Sequence, residues 1–305
     1  MSSVVLQGVT PPLTHLGVIR AEGPDAASFL HGQLTQDFSL LGTAEARLAA
    51  LCTAKGRMTA SFIGIRPKPE TVLLVCSRDI LAATLKRLSM FVLRAKCKLS
   101  DASAEFALHG LAGSALTANG IDLAAAPGQR HVIGEASAVS LYPADGVPRA
   151  LWIGSADGAP PAGAQLALSL WQWSEVRSGI VTLTTPVVEA FVPQMLNYES
   201  VGGVNFKKGC YPGQEIVARS QFRGTLKRRT YLTTAGAPLE AGQEVFAAND
   251  PEQPVGTVAQ AAPGPDGRWT ALVSMQIAAV DAGGLQAGGG ALTFEPLPYP
   301  LLEDI

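Results

Sequence analysis

"KKGCYPGQEIVAR", Lys207 to Arg219, holds one of only four cysteines in 305 residues. Two lysines precede Cys210 and a Pro-Gly pair follows it. Pro212 and Gly213 specify a tight turn. "GQEIVARS" then reads as a helix start, with Glu215 complementing the dipole in its first turn. Cys210 is thus expected on a loop that enters a helix. Neighbouring cations and a helix N-terminus both favour a thiolate, which suits a reactive role. The same spacing also suits a small buried residue packed beside Tyr211, and local chemistry leaves the two readings open.

Working outward, a basic run follows: Arg219, Arg223, Lys227, Arg228 and Arg229. It reads as a solvated helix end and edge strand, as a site for carboxylates, or as an RNA surface. Aromatic residues at the spacing of an RNA platform are missing, so nucleic acid is not expected as a direct partner. Upstream, "TTPVVEAFVPQMLNYESVGGVNF" breaks into prolines and glycines, and so long an irregular stretch is expected to be a functional loop. Before it, "AQLALSLWQWSEVRSG" reads as a helix that Gly179 ends. "EGPDAASFLHGQ" is a short helix, with Pro24 at its start and Gly32 at its stop. "ASFIGI" and "TVLLVCS" are strands joined at "RPKPE", and "RDILAATLKRLSMFVL" is a second, longer helix. "FALHGLAG" and "RALWIGS" are further strands, the latter after the turn "PADGVP". This mixture is α+β and not regular βαβ winding. After Arg229 only short strands and glycine-rich turns are read, "DAGGLQAGGG" among the turns and nothing as helix. A small antiparallel barrel or sandwich is expected there.

Composition narrows the function. Hydrophobic residues make up 47% and charged residues 16%, with a net charge of −2. That excludes general disorder and any whole-molecule attraction to nucleic acid or membrane. Cys52, Cys76, Cys97 and Cys210 form no C-x-x-C pair and have no histidine at zinc-site spacing, so neither a disulfide framework nor a metal site is expected. The N-terminal stretch carries no cation before Arg20 and no long apolar core, and no uncharged run approaches membrane-spanning length. A cytoplasmic protein with no membrane partner is expected. No G-x-x-x-x-G-K phosphate loop occurs.

"KKGCYPGQEIVARSQFRGTLKRR" closely resembles the signature of the YgfZ family, folate-binding proteins related to the aminomethyltransferase (T-protein) of the glycine cleavage system. "EGPDAASFLHGQLTQD", "CTAKGRM", "FVPQMLNYESVGGVNF" and "FEPLPYPLLEDI" resemble further family landmarks in the family's order, so the resemblance spans nearly the whole chain. It implies two T-protein-like α+β subdomains around a central opening plus a C-terminal antiparallel β-barrel. The expected boundaries are 1–106, 107–228 (with the cysteine loop) and 229–305. It implies tetrahydrofolate or a derivative as cofactor. It implies a role in assembly or repair of iron–sulfur proteins, including enzymes that modify tRNA, with iron–sulfur client or assembly proteins as partners. The family's key cysteine falls on Cys210.

The resemblance also supplies a site. The tryptophan associated with folate matches Trp171, while a second family tryptophan falls near Leu16 and is absent. Gln33, Asp37, Lys55, Arg57, Gln194, Asn197, Glu199, Lys208 and Arg223 match polar positions in its loops. Asp37 and Glu199 can accept from a pterin amine, and Lys55, Arg57 and Arg223 can meet carboxylates. Many relatives carry Glu-Ala-Gly where this chain has Arg177-Ser178-Gly179, so one pterin-binding carboxylate is missing. T-proteins carry paired aspartates where "AKGRMTASFIG" places Thr59 and Ala60. Methylene transfer needs such an acid, so active aminomethyltransferase chemistry is not expected. That activity and an RNA- or protein-binding adaptor stand as the alternatives.

Overall fold

The computed structural model describes residues 6–222 and 226–302. Its strands form three antiparallel sheets. The first contains β2 (Leu16–Glu22), β3 (Ala46–Cys52), β4 (Met58–Lys68), β5 (Thr71–Ser77) and β6 (Lys98–Asp101), in the spatial order β3-β4-β5-β2-β6. Helices α1 (Ala26–His31) and α2 (Arg78–Ser89) pack against β2 and β5. "TVLLVCS" shows why β5 is apolar throughout. Val72, Leu74 and Cys76 belong to one buried cluster, Leu73 and Val75 to another. Alternation sends them to opposite faces, and a strand covered on both faces loses its polar positions.

The second sheet contains β1 (Gly8–Val9), β7 (Phe106–Ala112), β8 (Arg130–Ile133), β9 (Ala136–Ala144) and β10 (Val147–Ser155), in the order β1-β7-β10-β9-β8. The turn between β9 and β10 is Asp145-Gly146, both residues at positive φ (48° and 77°), as a two-residue hairpin with strand-matched twist demands. Helix α3 (Ser114–Ala118) follows β7. The first two sheets share a core. Val18, Ile65, Leu73 and Val75 meet Leu108, Val139, Leu151 and Ile153, and Trp171 of α4 (Leu168–Arg177) joins them.

Helix α5 (Gln214–Phe222) precedes the third sheet. That sheet contains β11 (Arg228–Ala235), β12 (Glu244–Ala247), β13 (Asp250–Pro263), β14 (Trp269–Gln276), β15 (Leu285–Ala287), β16 (Gly290–Ala291) and β17 (Thr293–Glu295). Its order is β16-β15-β12-β13-β14-β11-β17, a nearly closed barrel. One expectation fails here. The C-terminal region does contain a helix, α6 (Ile277–Ala282). It is six residues long, too short for a full apolar period; Ala279 and Val280 pack on the barrel core. Gly283 and Gly284, at φ 75° and 67°, end it as left-handed glycines end helices. "DAGGLQAGGG", read as a single turn, thus supplies the end of α6, all of β15 and the start of β16.

The irregular stretch 184–206 is mostly interior. It holds two short 3-10 turns, Thr185–Val187 and Pro193–Leu196. Its Val187, Phe191, Leu196, Tyr198 and Val204 fill the space between the first sheet and barrel residues Leu232 and Leu272. Buried backbone outside regular structure needs partners. The Met195 carbonyl finds two, accepting from the hydroxyls of Thr230 and Ser274, and Asn197, at φ 58°, ties the stretch to β11 by donating to the Thr230 carbonyl and accepting from the Thr230 N–H.

Candidate functional site

A cavity of about 490 Å³ opens between the first two sheets beside α4. Alternation on β10 places Arg149 on the same face as Leu151 and Ile153, so a guanidinium enters an otherwise apolar core. Arg149 is 2% exposed, and its Cζ stacks 4.3 Å from the Trp171 ring centre. Its Nη1 reaches the Tyr142 carbonyl only at 3.3 Å, and its Nε has no partner among the described residues. Burial pulls this guanidinium down to about 10, against the pull of Glu175, and it is charged at neutral pH. An unmade hydrogen bond on a buried group costs about 1–3 kcal/mol, more when the group is charged.

Trp171 and Glu175 share one face of α4 by their spacing of four. The indole Nε1 donates to Glu175 Oε1 at 3.0 Å, and His15 Nε2 meets Glu175 Oε2 at 3.2 Å. The indole lies flat on Gly110: a Cβ there would fall 2.4 Å from the ring. All three of Arg149, Trp171 and Glu175 line the cavity, and Glu175 is the single carboxylate among its described lining residues.

The cysteine loop is built separately. Asn205 Oδ1 accepts from the N–H groups of Lys207 and Lys208 at 2.8 and 3.1 Å. Lys208 then turns inward, 8% exposed, and its ammonium donates to the carbonyls of His31 and Leu34. It also lies 4.5 Å from the Tyr211 ring centre. Burial, opposed by Asp37 and Cys210, lowers Lys208 to about 8. Gly213, at φ 81°, docks on the "AKGRM" hairpin; a Cβ there would fall 2.3 Å from the Thr53 carbonyl and 2.8 Å from Gly56. The helix α5 starts at Gln214, and Cys210 is left exposed on the loop before it. The other three thiols are buried or half-buried, and burial pushes Cys52 and Cys76 up to about 12.

Comparison with known proteins places the chain. It is 30% identical to the tRNA-modifying protein YgfZ of Cronobacter sakazakii over 92% of its own length and 90% of that protein. The corresponding protein of Klebsiella pneumoniae is 32% identical over 92% of this chain and 89% of its own. The chain belongs to the YgfZ family. The crystal structure of glycine cleavage system aminomethyltransferase T from Bartonella henselae matches 98% of this chain and 87% of its own with a TM-score of 0.69. At 18% identity that likeness is one of fold. No protein-family model matches the chain.

Of the folate contacts that the YgfZ resemblance implies, Trp171 lines the cavity. Lys208 and Asp37 lie by the cysteine loop. Asp37 pairs with His31 Nδ1 at 2.9 Å. Burial would raise its carboxyl, but the Leu40 N–H, His31 and Arg47 outweigh that and hold it below the ordinary value. Lys55 is exposed on the hairpin under Gly213, and Arg57 donates to the Ala190 carbonyl. Gln33 buries an oxygen with no partner among the described residues, and it does not line the cavity. Gln194 donates to the Val217 carbonyl at 2.7 Å. Asn197 holds β11 through Thr230, and Glu199 pairs with Arg229 at 2.7 Å in the interior. Arg223 lies outside the described residues. The basic run does not form one surface: Arg219 pairs with Glu215 in solvent, while Arg229 is buried.

Sequence reasoning missed Arg149, Glu175, Gln36, Arg47 and Asn205, which all line the cavity. Two of them carried a readable mark. Arg149 occupies an inward position of an apolar strand, and Glu175 stands one helical turn from Trp171. Arg177, where the resemblance implies a Glu, pairs with Asp145.

Proposed function

We propose that this protein is a tetrahydrofolate-binding accessory factor for iron–sulfur proteins, including enzymes of tRNA modification, that acts through Cys210. The observation that carries the folate part is the buried, incompletely bonded Arg149 stacked on Trp171 in a 490 Å³ cavity. Apolar walls with a few convergent polar groups suit a flat, drug-sized ligand. A pterin presents a carbonyl beside ring and exocyclic N–H groups. Arg149 is the complement of the former and Glu175 of the latter. That the relatives are tRNA-modifying proteins supports a link to tRNA modification. Cys210 is the exposed thiol of the chain, beside the Lys208 ammonium, as a reactive thiol requires.

Methylene transfer is disfavoured by the residues at the position of the T-protein aspartates. Thr59 there carries no acid, lies off the cavity lining and donates its hydroxyl to the Leu51 carbonyl. Titration with tetrahydrofolate, followed by tryptophan fluorescence, tests the cofactor; no change up to physiological concentration would remove folate from the reading. Expression of Cys210→Ala in a strain lacking the protein, with assay of an iron–sulfur tRNA-modifying enzyme, tests the thiol. Full rescue by the variant would remove Cys210 from its role.

A further inference from the structure

The cavity and the cysteine loop meet at Asn205 and at the 31–36 segment it is bonded to. Asn205 lines the cavity. Its Oδ1 also accepts from both Lys207 and Lys208, the two amides that open the cysteine loop. Two amide N–H groups can only be met by an acceptor, so the chemistry fixes which end of the carboxamide is oxygen. The other end is a donor, Nδ2, and it has no protein partner among the described residues.

The surroundings make that residue a stiff joint. The Asn205 N–H donates to the Thr35 carbonyl at 2.9 Å. Thr35 Oγ1 donates to the Gly203 carbonyl and accepts from the Ala50 N–H. Gln36, another lining residue, donates to the Gly202 carbonyl. From the same 31–36 segment, the carbonyls of His31 and Leu34 hold the Lys208 ammonium. One short segment thus walls the cavity on one side and anchors the cysteine loop on the other.

We infer that Asn205 is a positioning residue that couples the two places. A ligand in the cavity with a hydrogen-bond acceptor near its rim takes Nδ2, fixes the carboxamide, and so orders the loop that carries Cys210. The ligand class is a folate whose carbonyl or carboxylate oxygen reaches the rim. This rests on the folate reading above. Filling the cavity then sets the conformation of the thiol loop without the ligand touching sulfur.

Amide hydrogen exchange of residues 207–211, with and without tetrahydrofolate, tests this in three proteins. In the wild type, saturating tetrahydrofolate slows exchange of Lys207 and Lys208 by about threefold or more. Asn205→Ala removes the cap, so these amides exchange fast in both states. Asn205→Asp separates coupling from mere structure. Its carboxylate still accepts both amides, so the free protein stays protected, but it has no donor and the response to tetrahydrofolate disappears. Affinity for tetrahydrofolate is measured in each protein by equilibrium dialysis. A wild type that binds tetrahydrofolate with no change at 207–211 overturns the coupling and leaves folate binding intact. So does an Asn205→Asp protein that responds as the wild type does. Failure of the wild type to bind overturns the folate reading and the coupling with it.

Discussion

Two buried cations mark two regions of this molecule, and they are bonded very differently. Lys208, under the cysteine loop, donates to two carbonyls and rests on an aromatic ring. Arg149, in the cavity, has one long contact to a carbonyl and an Nε with no partner among the described residues. A buried charge whose hydrogen bonds are all made by the chain is scaffold; a buried charge left short of partners is waiting for something the chain does not contain. By that measure the folate reading falls on the cavity, while at the cysteine loop the buried ammonium is held by the chain and the Tyr211 hydroxyl is the buried group with no partner among the described residues. The division explains why a residue such as Lys208, which motif matching groups with folate contacts, is better read as the strut that presents Cys210.

The sharpest way to break this division is a reciprocal pair of glycine substitutions. Gly213→Ala adds a Cβ at φ 81° and 2.3 Å from the Thr53 carbonyl. Both the left-handed backbone and the collision with main chain penalise it, by about 2–5 kcal/mol together. Urea unfolding reads that loss. Rescue of an iron–sulfur tRNA-modifying enzyme should fail in the variant, while tetrahydrofolate affinity of the folded fraction stays within about threefold. Gly110→Ala strikes the other region. Its φ is ordinary, but its Cβ meets the Trp171 indole at 2.4 Å, an overpacking cost of about 1–3 kcal/mol. Here tetrahydrofolate affinity should fall about tenfold or more, because Trp171 and Arg149 move together. If both variants lose both functions equally, the two regions are one site and the division is wrong.

These two glycines also show what the sequence could and could not disclose. Gly213 was legible: a Pro-Gly pair before a helix start is local turn chemistry, and the turn forms where it was expected. Gly110 was not, because nothing near it in sequence reveals that an indole from sixty residues later lies flat upon it. The same contrast runs through the candidate site. The helix after Cys210 and the strands "TVLLVCS" and "RALWIGS" follow from local pattern, whereas local pattern left Cys210 open between an exposed and a buried thiol and the structure shows it exposed. Arg149 becomes a cavity residue only when two sheets are stacked, and Gln194, Asn197 and Glu199 become interior struts only when the barrel closes on stretch 184–206. A polar residue in an irregular stretch reads the same whether its partner is a ligand or a distant carbonyl. The short α6 was missed for a related reason: its packing partners are barrel strands, not residues one turn away.

A smaller effect tests the electrostatics of the loop. The Lys208 ammonium lies near the Cys210 thiol and titrates at about 8. That ammonium carries its charge below about pH 8 and loses it as pH rises through that value, so any field it casts on the loop fades over the same range. Alkylation of Cys210 by iodoacetamide, followed on the 207–219 peptide, should be slower in Lys208→Met than in the wild type at pH 7. The two proteins should converge above pH 9. Equal rates at pH 7 would mean that Lys208 is a strut and nothing more.

The smallest effect belongs to the cavity side, at His15 and Glu175. Burial works to lower the His15 imidazolium, but the hydrogen bond and charge of Glu175 outweigh it and raise it above 6.5. A cation raised in the folded state stabilises the fold fully below its unfolded value and loses that contribution as pH climbs through the folded one. Both groups keep some solvent contact, 30% and 16% exposed, so the pair is worth about 0.5–1 kcal/mol at most. Glu175→Gln should therefore cost that much more stability at pH 5.5 than at pH 8.5, measured by urea unfolding of both proteins at each pH. Because His15 touches the cavity wall and not the loop, the same pH change should leave Cys210 alkylation in Glu175→Gln parallel to the wild type. A pH-dependent divergence in alkylation would show that charge at the cavity reaches the thiol by a route other than the Asn205 joint.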